Sequence, residues 1–342
     1  MTDIKSMYFD ELSTSLKESG LPAFRAKQVW QWLQQKGVGS FDLMTNLSKD
    51  LREKLKEDYV IKFCEIEKKS ASALDGTVKY LFRLFDGEFV ESVLMKYKYG
   101  YSLCVSTQVG CRMNCAFCAT GVGGFIRNLA AAEILSQIHA AQNDMDIKVS
   151  HIVLMGMGEP MDNYDNVIRF LKLVNNDDGL NIGMRNISLS TCGIIPGIKK
   201  LEQENLQLTL SVSLHAPNDD VRSRLMPVNK KYKVDDLLDV CRKYADSTSR
   251  RISYEYAMFG GVNDSDECAY ELASKLKGTL AHINLIPAND VTESGLHSST
   301  PERIKRFCEI LEKSGRNVTV RRSLGGDIDA SCGQLRSKHI KA

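Results

Sequence analysis

The chain is expected to fold as an incomplete, TIM-like (β/α)6 barrel, an α/β architecture, with a small N-terminal helical accessory domain and a short β-hairpin linker. Three observations carry this expectation. From Ser102 onward, strand-like apolar runs alternate with helical patterns, as in a parallel sheet wrapped by helices. Residues 1–65 instead repeat apolar side chains at three- and four-residue spacing. Between the two, VKYLFRLFDGEFVESVLMKY holds two β-rich runs joined by Asp86-Gly87, a hairpin signal. The expected divisions are 1–65, 66–98 and 99–342, the last including the C-terminal segment with Cys332. A doubly wound open sheet is the competing arrangement of the same units.

The helical module comprises runs around Phe9–Leu16, Phe24–Leu33 and Leu47–Leu55, punctuated by Gly20, Pro22, Gly37 and Gly39. In the remainder, strands are expected at Leu103–Ser106, Ile152–Met155, Ile187–Ser190, Leu208–Ser213, Ile252–Met258 and Ile283–Ile286, with a seventh at Val318–Val320. Helical patterns at Leu129–Gln142, Val167–Val174, Val234–Tyr244, Cys268–Leu276 and Ile304–Ser314 lie between or after them.

Composition bounds the class. The 342 residues are 43% hydrophobic and 26% charged, which is ordinary for a globular protein and excludes extensive disorder. No run of about 18 apolar residues occurs, and the start MTDIKSMYFDELSTSLKESG lacks the pattern of a secretory signal, so a cytoplasmic location without membrane contact is expected. In that reducing compartment the ten cysteines read as thiols and ligands. A net charge of +2 neither indicates nor excludes nucleic acid, because a balanced total can hide a basic face.

The chemistry concentrates in GCRMNCAFC, where Cys111, Cys115 and Cys118 supply three thiolates within eight residues. Soft ligands select zinc, copper(I) or iron–sulfur clusters, and three cysteines on a four-iron cluster leave one iron open. A structural zinc would need a fourth ligand, for which Cys104 is the candidate. Active sites of parallel β/α folds gather at the carboxyl ends of strands, and the unusual residues fall there. The cysteine loop follows the first strand. Gly156-Met157-Gly158-Glu159-Pro160 follows the second, Ser190-Thr191-Cys192-Gly193 the third, and Pro287-Ala288-Asn289 the sixth. Ser213-Leu214-His215 ends the fourth. Each could be bland by itself: a Gly-Pro turn, serine helix caps, a core histidine, a turn asparagine. Their common edge argues for ligand contact.

The C-x3-C-x2-C loop with Phe117 before its last cysteine resembles the cluster loop of the radical S-adenosylmethionine (radical SAM) superfamily, and the Gly158-Glu159-Pro160 element resembles the motif that holds the SAM amino group there. The strings VESVLM, LCVSTQVGCRMNCAFCATG, LMGMGEPMDN, LSTCGIIP, SLHAPND, HINLIPAN and DIDASCGQLR narrow the resemblance to the RNA-methylating RlmN/Cfr family, over nearly the whole chain.

That resemblance implies a 4Fe–4S cluster on Cys111, Cys115 and Cys118, and two SAM molecules per turnover. It implies SAM contacts at Gly158, Glu159, Ser190, Ser213, Leu214 (through its backbone), His215 and Asn289. Cys332 would be methylated by one SAM, and a radical from the second would activate that methyl group to attack C2 of an adenine. Cys104 would release the product by attacking the Cys332 sulfur. Glu91 would accept the proton, a role for which Cys104 is a rival. Residue by residue, Glu91 is as readily a solvent-facing member of an alternating strand. The implied substrates are 23S ribosomal RNA and transfer RNA, with a flavodoxin- or ferredoxin-type electron donor; a monomer is expected. Methylation at C8, as in the Cfr branch, is the alternative, although Pro160 stands where that branch has alanine. A non-catalytic, zinc-stapled RNA-binding protein is the alternative from another class.

Around the barrel mouth, phosphate contacts could come from Lys199–Lys200, Lys230–Lys231, Arg250–Arg251, Arg321–Arg322, and the tail residues Arg336, Lys338 and Lys341, with Arg25, Lys27 and Lys36 of the helical module. Basic pairs are more often solvated surface, so none of these is singled out.

Overall fold

The computed structural model describes residues 1–288, 295–330 and Leu335; Asn289, Cys332 and the basic tail residues lie outside this range. Its centre is a ten-stranded mixed sheet in which every strand pairs with its neighbour in sequence. The strands are β1 (Glu65–Ala71), β2 (Val78–Arg83), β3 (Phe89–Tyr97), β4 (Gly100–Cys104), β5 (Val149–Leu154), β6 (Ile187–Thr191), β7 (Thr209–Ser213), β8 (Ile252–Met258), β9 (Ala281–Pro287) and β10 (Val318–Val320). From β4 to β10 all pairings are parallel, and from β1 to β4 all are antiparallel. Six strands followed by crossovers, with β10 at the edge, make the expected open barrel. The parallel strands are largely apolar and buried, as sheets covered on both faces require.

The expected hairpin forms and is longer than its two runs. EIEKKSA adds the edge strand β1, whose charged side chains are all exposed. Through β3–β4 pairing the hairpin continues the barrel sheet. An edge strand studded with Lys68 and Lys69 discourages further pairing, which is why it carries no apolar signal.

The helices are α1 (Phe9–Glu18), α2 (Ala23–Trp30), α3 (Lys49–Asp58), α4 (Ala131–Met145), α5 (Tyr164–Asn175), α6 (Ile195–Gln203), α7 (Asp219–Leu225), α8 (Val234–Thr248), α9 (Asp266–Lys275) and α10 (Pro301–Lys313). In α5, Val167, Ile168, Phe170, Leu171 and Val174 form the buried stripe against the sheet. In contrast, α4 is buried through Ala141 because the N-terminal helices cover its outer side. There Ala132 N–H donates to Ser6 Oγ at 2.9 Å and His139 Nε2 meets the Gln34 carbonyl at 3.1 Å. Arg169 on α5 pairs with Glu11 on α1 at 2.5 Å. The sequence pattern passed over α6, since IPGIKKLEQ holds a proline and a glycine. Pro196 sits in the first turn, where no backbone donor is needed, and a Cβ at Gly197 would stand 2.8 Å from Met161.

Candidate active site

The loops at the carboxyl ends of β4 to β9 enclose an open cavity of about 1000 Å3. Cys111, Cys115 and Cys118 line it on one side; Gly158, Glu159, Ser190, Ser213 and His215 line the others, and Ala288, just before Asn289, completes the rim. Of the site residues expected from sequence, these eight meet in one space. Leu214 does not line it: its side chain is in the core, its N–H donates to the Glu255 carbonyl at 3.1 Å, and its carbonyl accepts from Arg222 at 3.0 Å.

The cysteine loop is tied to its surroundings by backbone bonds. Cys111 N–H donates to Gly124 O at 2.8 Å and Ala116 N–H to Leu225 O, at the end of α7, at 2.9 Å. Burial pushes the Cys111 thiol up to about 12 and the Cys115 thiol well above its ordinary value. These are neutral thiols unless a metal cation replaces the proton, and the dry surroundings then strengthen the bond. Among the described residues, no three Cys, His, Asp or Glu side chains are grouped to hold a single metal ion. Four sulfurs on one zinc must crowd within about 4 Å of one another, whereas a cluster takes one thiolate per iron and spreads them. Cys104, the candidate fourth zinc ligand, lines a different cavity. The donor set fits a cluster, which Cys111, Cys115 and Cys118 would hold at the wall of the cavity.

Glu159 is held opposite. Its Oε2 accepts from Cys192 N–H at 2.7 Å and its Oε1 from Met161 N–H at 3.0 Å. Burial raises its carboxyl pKa despite these bonds, so a ligand ammonium would be a favourable partner. Gly158 places it: with φ +103°, a Cβ there would stand 2.5 Å from Gln108 Cβ and 2.8 Å from Gln108 N. Gln108 also accepts Glu159 N–H at 2.8 Å.

His215 has a left-handed backbone, φ 56°, and its Nδ1 accepts from Ala257 N–H at 2.9 Å. The proton is therefore on Nε2, and burial, with Arg222 next, holds the imidazole down to about 3. Phe117 meets the ring edge-on at 4.7 Å.

Two buried polar residues that the sequence did not single out fasten these loops together. Arg222 on α7 donates to Cys192 O at 2.6 Å, Leu214 O at 3.0 Å, Ser213 O at 3.1 Å and Asn229 Oδ1 at 3.1 Å. Asn263 donates to His215 O at 2.8 Å and Ala257 O at 2.7 Å and accepts from Phe259 N–H at 2.7 Å. Arg222 lies three residues beyond the SLHAPND string, and a cation that far into an acidic helix start reads as solvated surface. Glu255, which the sequence did not single out, and Arg321, anticipated only as a candidate RNA phosphate contact, also line the cavity.

A second cavity of about 580 Å3 adjoins the first, sharing Met155, Ile286 and Arg321 with it. Cys104 lines it, as do Ala330 and Leu335, the described residues on either side of the segment that holds Cys332. Leu335 O accepts from Thr120 Oγ1, just beyond the cysteine loop, at 2.8 Å. Glu91 is not solvent-facing, correcting the alternating-strand reading: it is 1% exposed and pairs at 2.9 Å with Lys79 of the adjacent strand β2. It lines neither cavity but shares a strand face with Val93 and Met95, which line the second. Of the basic pairs, Arg321–Arg322 lie at that cavity, whereas Arg250–Arg251 precede β8 at the opposite end of the barrel.

Comparison with known proteins is consistent along the whole chain. Residues 105–273 match the radical SAM superfamily, and residues 2–61 match the ribosomal RNA large subunit methyltransferase N-terminal domain. A probable dual-specificity RNA methyltransferase RlmN of Clostridium novyi is 50% identical over 100% of this chain and 99% of its own length. One of Lachnospira eligens is 51% identical over 100% and 97%. A crystal structure of a radical SAM methyltransferase from Sphaerobacter thermophilus superimposes with a TM-score of 0.95 at 42% identity, covering 99% of this chain and 100% of that one.

Proposed function

The chain belongs to the RlmN family of dual-specificity RNA methyltransferases within the radical SAM superfamily, and from that membership we propose that it methylates C2 of an adenine in 23S ribosomal RNA and of an adenine in transfer RNA. The observation that carries this reading is the pair of adjoining cavities, one walled by the cysteine loop and the strand-end motifs, the other by Cys104 and the residues flanking the Cys332 segment.

Adenine C2 is electron-poor and does not displace a methyl group from a sulfonium. A cluster on Cys111, Cys115 and Cys118, with SAM at its open iron, would supply the radical chemistry that such a carbon demands. The protein's own groups then divide the work. Glu159 receives the SAM ammonium, and Ser190, Ser213 and the Nε2–H of His215 offer hydrogen bonds to its polar groups, with Gly158 admitting the backbone. The Leu214 carbonyl retains a second lone pair for the same ligand, and Asn289 joins the set from beyond Ala288. Cys332 accepts a methyl group from a first SAM, gives up one of that group's hydrogen atoms to the radical that the second SAM would supply, and delivers the remaining methylene carbon to C2. Glu91 takes the C2 proton. Cys104 attacks the Cys332 sulfur, forming a disulfide as the carbon–sulfur bond breaks; its electron pair stays with the carbon, which takes up a proton to become the methyl group, and the odd electron left by the radical addition would return to the redox centre that the cysteine loop holds. Residues 1–65 would grip the RNA around a splayed-out adenine. A monomer drawing electrons from a flavodoxin- or ferredoxin-type donor completes the proposal.

Anaerobic incubation of the Cys104→Ala variant with SAM, reductant and ribosomal RNA is expected to accumulate a denaturant-stable RNA–protein adduct. Cys332→Ala should form none while retaining the brown cluster. Absence of any adduct from Cys104→Ala would count against the resolving role, and normal methylation by Cys332→Ala would remove the methyl carrier.

A further inference from the structure

Lys79 stands where the catalytic face of the sheet meets the C-terminal segment. Across β2, β3 and β4, Lys79 is directly opposite Val93, and Val93 is directly opposite Cys104. The three form one row on one face, so Lys79 and Cys104 are two strand spacings, or about 10 Å, apart. Glu91, opposite Leu81, is the diagonal neighbour of Lys79 on that face. Lys79 Nζ lies 2.9 Å from the Glu91 carboxylate and donates to the Asp329 carbonyl at 3.1 Å. The pair is sheltered, with side-chain exposures of 12% and 1%.

The same strands hold the segment at two further points. Asp75 accepts from Gly325 N–H at 2.8 Å, and Asp327 accepts from Ala73 N–H at 3.0 Å, both in the turn between β1 and β2. Those bonds fix the position of the segment, but neither reaches a group with a chemical role. The Lys79 ammonium does both, because one cation touches the proton acceptor and the backbone three residues before Cys332.

We propose that Lys79 is a positioning residue for proton removal: it holds Glu91 charged and aimed while anchoring the segment that brings Cys332 to the substrate. This rests on the reading of Glu91 as proton acceptor and Cys332 as methyl carrier. A carboxylate almost sealed from water is costly to ionise without a cation beside it, and a general base must be charged to act. Loss of the ammonium therefore slows C–H cleavage at C2 rather than RNA binding.

The test uses the full-length holoenzyme, with ribosomal RNA carrying protium or deuterium at C2. Lys79→Gln keeps a donor of reduced reach and removes the charge. We expect kcat to fall by about 10–100-fold, within the range a general base supplies, with KM for RNA changed less than about twofold. The RNA–protein adduct should build up before product, and the deuterium isotope effect on its decay should increase. Lys79→Arg should recover most of the rate. Wild-type kinetics in Lys79→Gln, or a slow reaction with neither adduct nor added isotope effect, would overturn the proposal. Glu91→Gln is the reference for the underlying reading. If Glu91→Gln turns over at the wild-type rate, the proton-acceptor assignment itself fails; if it is impaired with adduct present while Lys79→Gln is normal, only the role of Lys79 fails.

Discussion

Removing the guanidinium that ties the strand ends together should loosen the cofactor cavity. Arg222 is fully buried, and four of its hydrogen bonds are 3.1 Å or shorter, three of them to the carbonyls of Cys192, Ser213 and Leu214. Each bond to a charged group contributes about 1.5–3 kcal/mol, so the four together contribute roughly 6–12 kcal/mol. Desolvating a buried cation opposes this by several kcal/mol, and truncating one side of such an assembly costs about 3–5 kcal/mol net. Arg222→Met should therefore lower the melting temperature by about 10 °C, taking roughly 2–4 °C per kcal/mol for a large domain. Because the orphaned carbonyls belong to the loops bearing Ser213, His215 and Cys192, SAM affinity should fall with stability. Calorimetric melting and SAM titration of the anaerobically purified protein measure both. Arg222→Lys should be intermediate, since a single ammonium cannot span carbonyls on different loops. An Arg222→Met protein that melts within about 2 °C of wild type and binds SAM equally well would refute the argument.

Gly158→Ala, forced to keep φ near +103° with its Cβ against Gln108, should displace Glu159; a shift of about 1 Å predicts roughly a 10²-fold loss of rate, and unchanged turnover would show that the loop absorbs the methyl group. His215 gives a pH dependence of stability. Its pKa falls from the ordinary value of about 6.5 in the unfolded chain to about 3 in the fold, so the unfolded state binds the proton first as pH drops. The stability it contributes is present above about pH 6.5 and is lost as pH falls towards 3. Urea midpoints at pH 7 and pH 4 should therefore converge more for His215→Asn than for wild type; an identical drop in both would mean that other groups account for it.

The barrel was legible because its strands are apolar runs of the right length between helical stripes. Ile252–Met258 and Val318–Val320 coincide with their expected ranges, and the remaining barrel strands differ by a few residues at their ends. The site was legible because glycine, serine, histidine and cysteine recur after successive strands, where a parallel barrel opens. What escaped notice were polar residues whose work is internal. Arg222 and Asn263 satisfy carbonyls at strand ends, and nothing in their sequence neighbours distinguishes them from hydrated side chains. Glu91 was ambiguous for the related reason that an alternating strand does not reveal whether its polar face is covered by the rest of the chain. The edge strand β1 was hidden by its charges, which protect an exposed edge and carry no apolar period.

The most direct test of the account is the identity of the modified nucleoside. Anaerobically purified protein, given SAM, a low-potential reductant and unmodified 23S ribosomal RNA, should yield 2-methyladenosine on digestion and mass spectrometry. The yield should disappear in Cys332→Ala. Methylation at C8, or no methylated adenosine from protein that carries its cluster, would contradict the account.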